Sequence, residues 1–171
     1  FALQSQQKAA QASQQGLFKS SVIPMYDESN HLLLDHDEYI RASTTLEGLQ
    51  KLKPAFLAMG EQFGLDTLTR RKYPYIEKIK HVHTAGNSSG IVDGAAAVLL
   101  GNAEAQDRHQ LKARARIKSA VTIGSDPVLM LSGPVPAAQA ALKKAKMTLA
   151  DIDLFEVNEA FAVQVLAFLD H

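Results

Sequence analysis

The chain has 171 residues, enough for one domain or parts of two, and 46% of them are hydrophobic, which supports a sizeable core. Lysine plus arginine and aspartate plus glutamate number 18 each, so a formal charge of zero gives no pointer to nucleic acid or to an anionic membrane. There is no cysteine, which excludes disulfides, thiolate metal sites and a cysteine nucleophile within these residues. No apolar run approaches the length of a membrane span, and no basic, apolar, small-residue leader is visible. The chain is accordingly read as cytoplasmic. Its first residue is Phe1 rather than Met, which suits processing or a fragment; a removed start would have taken any targeting segment with it.

In chain order, residues 2–15 are rich in alanine and glutamine with no internal Gly or Pro, which predicts a helix with Gly16 as its C-terminal stop. Val22-Ile23-Pro24-Met25-Tyr26 predicts a short strand, with Pro24 favouring a sheet edge, and 27–30 a polar turn. Leu32-Leu33-Leu34 is an apolar run of open type. Asp35-His36-Asp37-Glu38 is read as a solvated acidic loop rather than a metal site. Thr44-x-x-Glu47 has the form of a capping box, Leu46, Leu49 and Leu52 follow at helical spacing, and Pro54 ends the helix. Arg41, just ahead of it, is on its own an ordinary surface charge.

Leu57–Lys80 contains Gly60, Gly64 and the run Arg70-Arg71-Lys72-Tyr73-Pro74-Tyr75. It reads as a lid, a subunit contact, a patch for phosphates, or a plain surface excursion. His81-Val82-His83 alternates as a strand would, with both histidines on one face; with no adjacent third ligand, no metal site is read there. Thr84-Ala85-Gly86-Asn87-Ser88-Ser89-Gly90 is small and polar, a composition that lets backbone approach a ligand and leaves N–H groups free. It lacks the Gly-Lys-Ser/Thr ending of a P-loop, and a tight connection is the plainer alternative. Residues 95–100 predict a buried strand of a covered sheet. A helix is expected at Ala103–Gln110, a strand within Ala113–Ile123, a turn at 124–127, and a helix reaching Lys146 with Pro136 at its start. There is no internal repeat and no low-complexity linker; a boundary is placed near Asn102–Leu111.

The stretch from Asp153 to Ala162 changes its hydrophobic period. Leu154, Phe155 and Val157 read as a short buried strand, whereas Phe161, Val165 and Phe168 recur at helical spacing. Asn158 and Glu159 sit at the switch, which in an open α/β sheet lies at the carboxyl edge where ligands bind. The Asn158 amide can hold a ligand or a water there, or cap the helix. The second half thus reads strand, helix, strand, helix, which predicts an α/β fold with parallel pairing.

Asn158-Glu159-Ala160-Phe161 resembles the thiolases, the acetyl-CoA acyltransferase family. Matching stretches occur in family order: Thr44-Thr45-Leu46-Glu47 running to Leu52-Lys53-Pro54-Ala55-Phe56, then Thr84 to Gly90, Asp93-Gly94-Ala95-Ala96-Ala97, and Gly133-Pro134-Val135-Pro136-Ala137. The resemblance covers nearly the whole chain except Leu57–Lys80, where the shorter family pattern passes quickly from Pro-Ala-Phe to Thr-Ala-Gly-Asn. It implies part of a thiolase fold, with helix-covered parallel or mixed sheets and an irregular loop domain. Residues 1–83 would be part of the loop domain, 84–110 the closing segment of the N-terminal domain, and 111–171 the first part of the C-terminal domain.

The resemblance also implies an activity: thiolysis of a 3-ketoacyl-CoA by coenzyme A, or the reverse condensation. In the family a cysteine attacks the thioester, a histidine activates it, a second cysteine moves a proton, and oxyanion holes stabilise the charge. Those cysteines and the histidine of the family's Gly-His-Pro segment have no match here, so the chain alone is expected to be inactive. Among the residues present, Asn158 would hold a water that helps form an oxyanion hole. Arg41 would lie beside the nucleotide end of coenzyme A, a position that suits its planar guanidinium. Phe56 would line the tunnel wall, Ala85 and Ser89 would contact pantetheine, and Ala160 and Phe161 would line the acyl and pantetheine end. Glu159 would be structural, at the helix N-terminus. No cofactor or metal is implied, coenzyme A thioesters being substrates. The expected partners are acyl-CoA or coenzyme A and, in the full protein, further copies of itself as a dimer or tetramer, with no nucleic acid and no membrane. The alternative is a noncatalytic coenzyme A or lipid-binding module, which the absence of cysteine favours if Phe1–His171 is the whole gene product.

Overall fold

Residues 1–171 are all described by the structure, a computed structural model, and they form two compact units. The first comprises residues 1–90 and 159–162, the second residues 91–158 and 163–171.

In the first unit, helix α1 spans Ala2–Gln14 and stops where Gly16 takes a φ of 71°. The Leu17 N–H then donates to the Ala12 carbonyl at 3.0 Å, closing the helix end as the glycine predicts. Strands β1 (Met25–Tyr26) and β2 (Leu32–Leu34) pair antiparallel, with Met25 opposite Leu34 and Tyr26 opposite Leu32. Their turn is held by Asp27, which accepts from the N–H groups of His31 at 2.8 Å and Ser29 at 2.9 Å. The His31 N–H in particular holds the Asp27 carboxyl below its usual range. On the acidic loop, the hydrogen bond to Asp35 raises His36 above the ordinary histidine value.

Helix α2 covers Leu46–Gln50, one residue out of register with the expected cap. The N-cap is Thr45, whose side chain accepts from the Gly48 N–H at 3.1 Å. The Thr44 hydroxyl instead donates to the Arg41 carbonyl at 2.7 Å. With the cap moved, the third helical residue is Gly48 rather than Glu47, so no capping box forms. Helices α3 (Leu57–Glu61) and α4 (Leu65–Lys72) occupy the segment that departs from the family pattern, turning at Gly64 with a φ of 78°. Asp66 of α4 pairs with His81 at 3.0 Å between Oδ2 and Nε2. That pair lies on Gly60 of α3, where a methyl would come within 2.5 Å of His81 Cε1.

In the second unit, α5 (Ala103–Arg108) is capped by Asn102, which accepts from the Ala105 N–H at 2.8 Å. Helix α6 (Pro134–Ala145) starts on two prolines and ends at Lys146, with a φ of 56°. The segment before it runs along its C-terminal half: Ser119 Oγ donates to the Ala141 carbonyl, and Lys144 Nζ to the Ala120 carbonyl, each at 3.0 Å. A 3-10 turn at Leu149–Asp151 carries a capping box between Thr148 and Asp151. The last helix, α7 (Ala162–Leu169), rests Phe168 on Phe155 at 5.6 Å between ring centres.

Four expected strands do not form. Residues 81–83, 95–100, 113–123 and 154–157 carry no ladder, and Leu99 and Leu154 remain 80% and 88% exposed. A buried parallel strand needs neighbours on both edges and helices on both faces, and no other segment of this chain supplies them. Ala10 is the one buried hydrophobic residue.

Candidate functional site

The small polar loop 84–90 is shaped by Asn87. Its Oδ1 accepts from the Thr84 N–H at 2.8 Å and its Nδ2 donates to the Val82 carbonyl at 2.9 Å. The Ser88 hydroxyl closes the same turn onto the Thr84 carbonyl at 2.6 Å. One side of the loop is pinned to residues 160–162: the Ser89 N–H donates to the Ala160 carbonyl at 3.0 Å, and the Ala162 N–H to the Asn87 carbonyl at 2.9 Å. These bonds flank an antiparallel bridge between Ser88 and Phe161. The N–H groups of Ala85, Ser88 and Gly90 make no hydrogen bond, so the loop keeps donors for a ligand.

The two glycines explain how close the surroundings come. A methyl at Gly86 would lie 2.5 Å from Leu49 Cδ2 and 2.6 Å from Leu52 Cδ1, so α2 and the turn after it pack directly onto the loop backbone. A methyl at Gly90 would clash with the Tyr39 ring, at 2.6 Å from Cε2 and 2.7 Å from Cε1. A side chain at Gly86 would have to displace the leucine methyls, and one at Gly90 would have to displace the Tyr39 ring.

Of the residues singled out from sequence, the structure gathers most in this first unit. Ser89 and Ala160 are joined by the backbone hydrogen bond above, and Phe161 by the adjacent bridge. The Phe56 and Phe161 rings lie 6.0 Å apart, and His83 completes a trio at 4.9 Å from Phe161 and 6.3 Å from Phe56. The Ala55 N–H donates to the His83 carbonyl at 2.7 Å, which fixes the segment that carries Phe56. Ala85 and Ser89 are exposed on the loop. Arg41 is exposed as well; its guanidinium carbon sits 4.7 Å above the Tyr39 ring. Glu159 accepts from Ser5 Oγ at 2.5 Å, tying α1 to the segment that carries Ala160.

Asn158 belongs to the second unit and is exposed, with no hydrogen bond from its amide. The capping alternative for it is excluded, because α7 starts only at Ala162, four residues on. Glu159 likewise stands clear of that helix terminus and is used by Ser5 instead. Three contributors to the site were missed from sequence: Asn87, His83 and Tyr39. For Asn87 a signal existed, since Asn between Gly and Ser readily bonds nearby backbone in a turn. Nothing local marks His83 or Tyr39, whose partners are distant in the chain.

Solved structures give the class first. Along 99% of its length the chain matches a crystal structure of human mitochondrial 3-ketoacyl-CoA thiolase, with a TM-score of 0.78, 39% identity and coverage of 38% of that chain. A crystal structure of human mitochondrial 3-ketoacyl-CoA thiolase in complex with CoA matches with a TM-score of 0.77, 40% identity, 99% of this chain and 37% of that one. The backbone therefore follows part of the α/β thiolase fold, including segments that lack strand neighbours here. The family model for the thiolase N-terminal domain matches residues 1–62, and that for the thiolase C-terminal domain matches residues 111–171. A 3-ketoacyl-CoA thiolase of Aliivibrio fischeri is 43% identical over 169 residues, 97% of this chain and 38% of that protein. A beta-ketoadipyl-CoA thiolase of Acinetobacter baylyi is 42% identical over 170 residues, 98% of this chain and 37% of that protein. The chain belongs to the thiolase family and spans somewhat over a third of the length of these relatives.

Proposed function

We propose that the chain is the coenzyme A-binding part of an acyltransferase that cleaves 3-ketoacyl-CoA with coenzyme A, or runs the condensation in reverse. The observation that carries this reading is loop 84–90, clamped against residues 160–162 with unpaired N–H groups and exposed Ala85 and Ser89. It is supported by the match to a thiolase solved with CoA. In this reading Ala85 and Ser89 contact pantetheine, Arg41 meets the nucleotide end, and Phe56, Ala160 and Phe161 line the acyl and pantetheine end. Asn158, with its amide uncommitted, holds the water that donates to the thioester oxyanion. The partition into a loop domain at 1–83, a closing N-terminal segment at 84–110 and a C-terminal part at 111–171 belongs to the same proposal, as does assembly of whole subunits into a dimer or tetramer. The protein would act in the cytoplasm.

Mechanistically, these 171 residues bind and orient; they contain no thiol to form the acyl-enzyme. The test is to incubate the purified whole protein with a 3-ketoacyl-CoA and coenzyme A and to quantify acetyl-CoA and the shortened acyl-CoA by chromatography. Stoichiometric appearance of both supports the reading. Tight coenzyme A binding without product would leave the noncatalytic binding module instead.

A further inference from the structure

Arg41 is held at three points. Its N–H donates to Gln6 Oε1 at 2.7 Å. Its carbonyl accepts from the Thr44 N–H at 3.1 Å and from the Thr44 hydroxyl at 2.7 Å. Its guanidinium lies 4.7 Å above the half-buried Tyr39 ring and makes no hydrogen bond or ion pair. All five of its N–H donors thus stay available while the group itself is confined. The Tyr39 ring is fixed in turn. It fills the space where Gly90 has no side chain, and the Tyr39 N–H donates to Asp37 Oδ1 at 2.7 Å. Gly90 is the last residue of the loop read as the pantetheine contact.

We infer that Tyr39 is a positioning residue for coenzyme A: its ring, seated on Gly90, is the platform that holds the Arg41 guanidinium at a set place relative to loop 84–90. The inference rests on the reading of Arg41 as the nucleotide-end contact. Its physical content is preorganisation. A free arginine side chain must be ordered when it binds an adenine or phosphate group, and that ordering subtracts from affinity. An arginine already stacked on an aromatic ring has lost much of that freedom beforehand, and a cation–π contact at an exposed site is worth a factor of about two to five in affinity.

The experiment uses the whole protein and calorimetric titration with coenzyme A and, separately, with pantetheine, which lacks the nucleotide. Arg41→Ala is expected to weaken coenzyme A about tenfold or more, through lost charge-assisted contacts, and to leave pantetheine unchanged. Tyr39→Leu is expected to weaken coenzyme A about two- to fivefold, again sparing pantetheine, whereas Tyr39→Phe keeps the platform and binds like the wild type. The double variant Tyr39→Leu with Arg41→Ala should match Arg41→Ala alone. Arg41→Lys keeps the charge and leaves Tyr39 on Gly90 but loses the planar stack together with the guanidinium fork; its loss should fall between those of Tyr39→Leu and Arg41→Ala. A Tyr39→Leu effect that persists in full without Arg41, or that falls equally on pantetheine, overturns the inference and makes Tyr39 a plain support for Gly90. Unchanged coenzyme A binding in Arg41→Ala overturns the nucleotide-end reading itself, a result distinguishable from the others.

Discussion

Replacing Asn87 by alanine removes two hydrogen bonds whose partners differ in exposure. The Thr84 N–H, half-buried, loses its acceptor at 2.8 Å, and the exposed Val82 carbonyl loses its donor at 2.9 Å. An N–H left unsatisfied away from water costs about 1–2 kcal/mol, whereas an exposed carbonyl is rehydrated for about 0.5 kcal/mol. Asn87→Ala should therefore destabilise the whole protein by about 2 kcal/mol, read as a shift in the urea midpoint at constant slope. The loop would also lose its turn, so the unpaired N–H groups of Ala85, Ser88 and Gly90 would no longer be held in place, and the KM for coenzyme A should rise. Asn87→Asp is the internal control. It keeps an acceptor for Thr84, loses the donor to Val82, and should fall between the two. Wild-type stability together with an unchanged KM in Asn87→Ala would refute the assignment of Asn87 as the organiser of the loop.

Three further outcomes are expected. Asn158→Ala in the whole protein should lower turnover about a hundredfold or more, with a smaller effect on coenzyme A affinity; steady-state kinetics showing unchanged kcat would remove Asn158 from the oxyanion site. The 171-residue chain alone, incubated with acetyl-CoA, should yield neither a protein-bound acetyl group nor acetoacetyl-CoA by mass spectrometry, and a rate above the buffer blank would mean another residue had become the nucleophile. Asp151 accepts from the Thr148 N–H and hydroxyl, which hold its carboxyl below the ordinary aspartate value. That depressed value gives the 3-10 turn stability present above about pH 4, the unfolded-state aspartate range, and lost as pH falls through the lower folded value. NMR titration of the Asp151 carboxyl at an unperturbed midpoint would count against it.

What could be read from sequence divides by the range of the interaction. Helix α1 with its Gly16 stop, α5 on Asn102 and α6 on its prolines depend on neighbours within a few residues, and each appears where propensity and capping put it. The cap of α2 falls on Thr45 rather than Thr44, a one-residue shift between two adjacent threonines with the same capping group. The runs 95–100 and 154–157 carry a strand's apolar composition, but a ladder is a property of two segments, and the second is not supplied by this chain. In the candidate site, the type of loop was legible from its small polar residues. Its fixing was not, because Tyr39 on Gly90, Leu49 and Leu52 on Gly86, and Ala160 on Ser89 are all long-range contacts.

The bonds that join loop 84–90 to residues 160–162 also set an order of events during synthesis. A contact between residues so far apart carries the loop-closure entropy of the chain between them, and Ser5 with Glu159 spans 154 positions. The Asn87 turn, the cap of α2 and the α3–α4 pair can all form from nearby sequence while translation continues. The Ser89–Ala160 and Asn87–Ala162 bonds cannot exist until residue 162 has left the ribosome. A nascent chain stalled before that point would hold a shaped turn with one side open, and loop 84–90 would be among the last parts of these residues to become rigid.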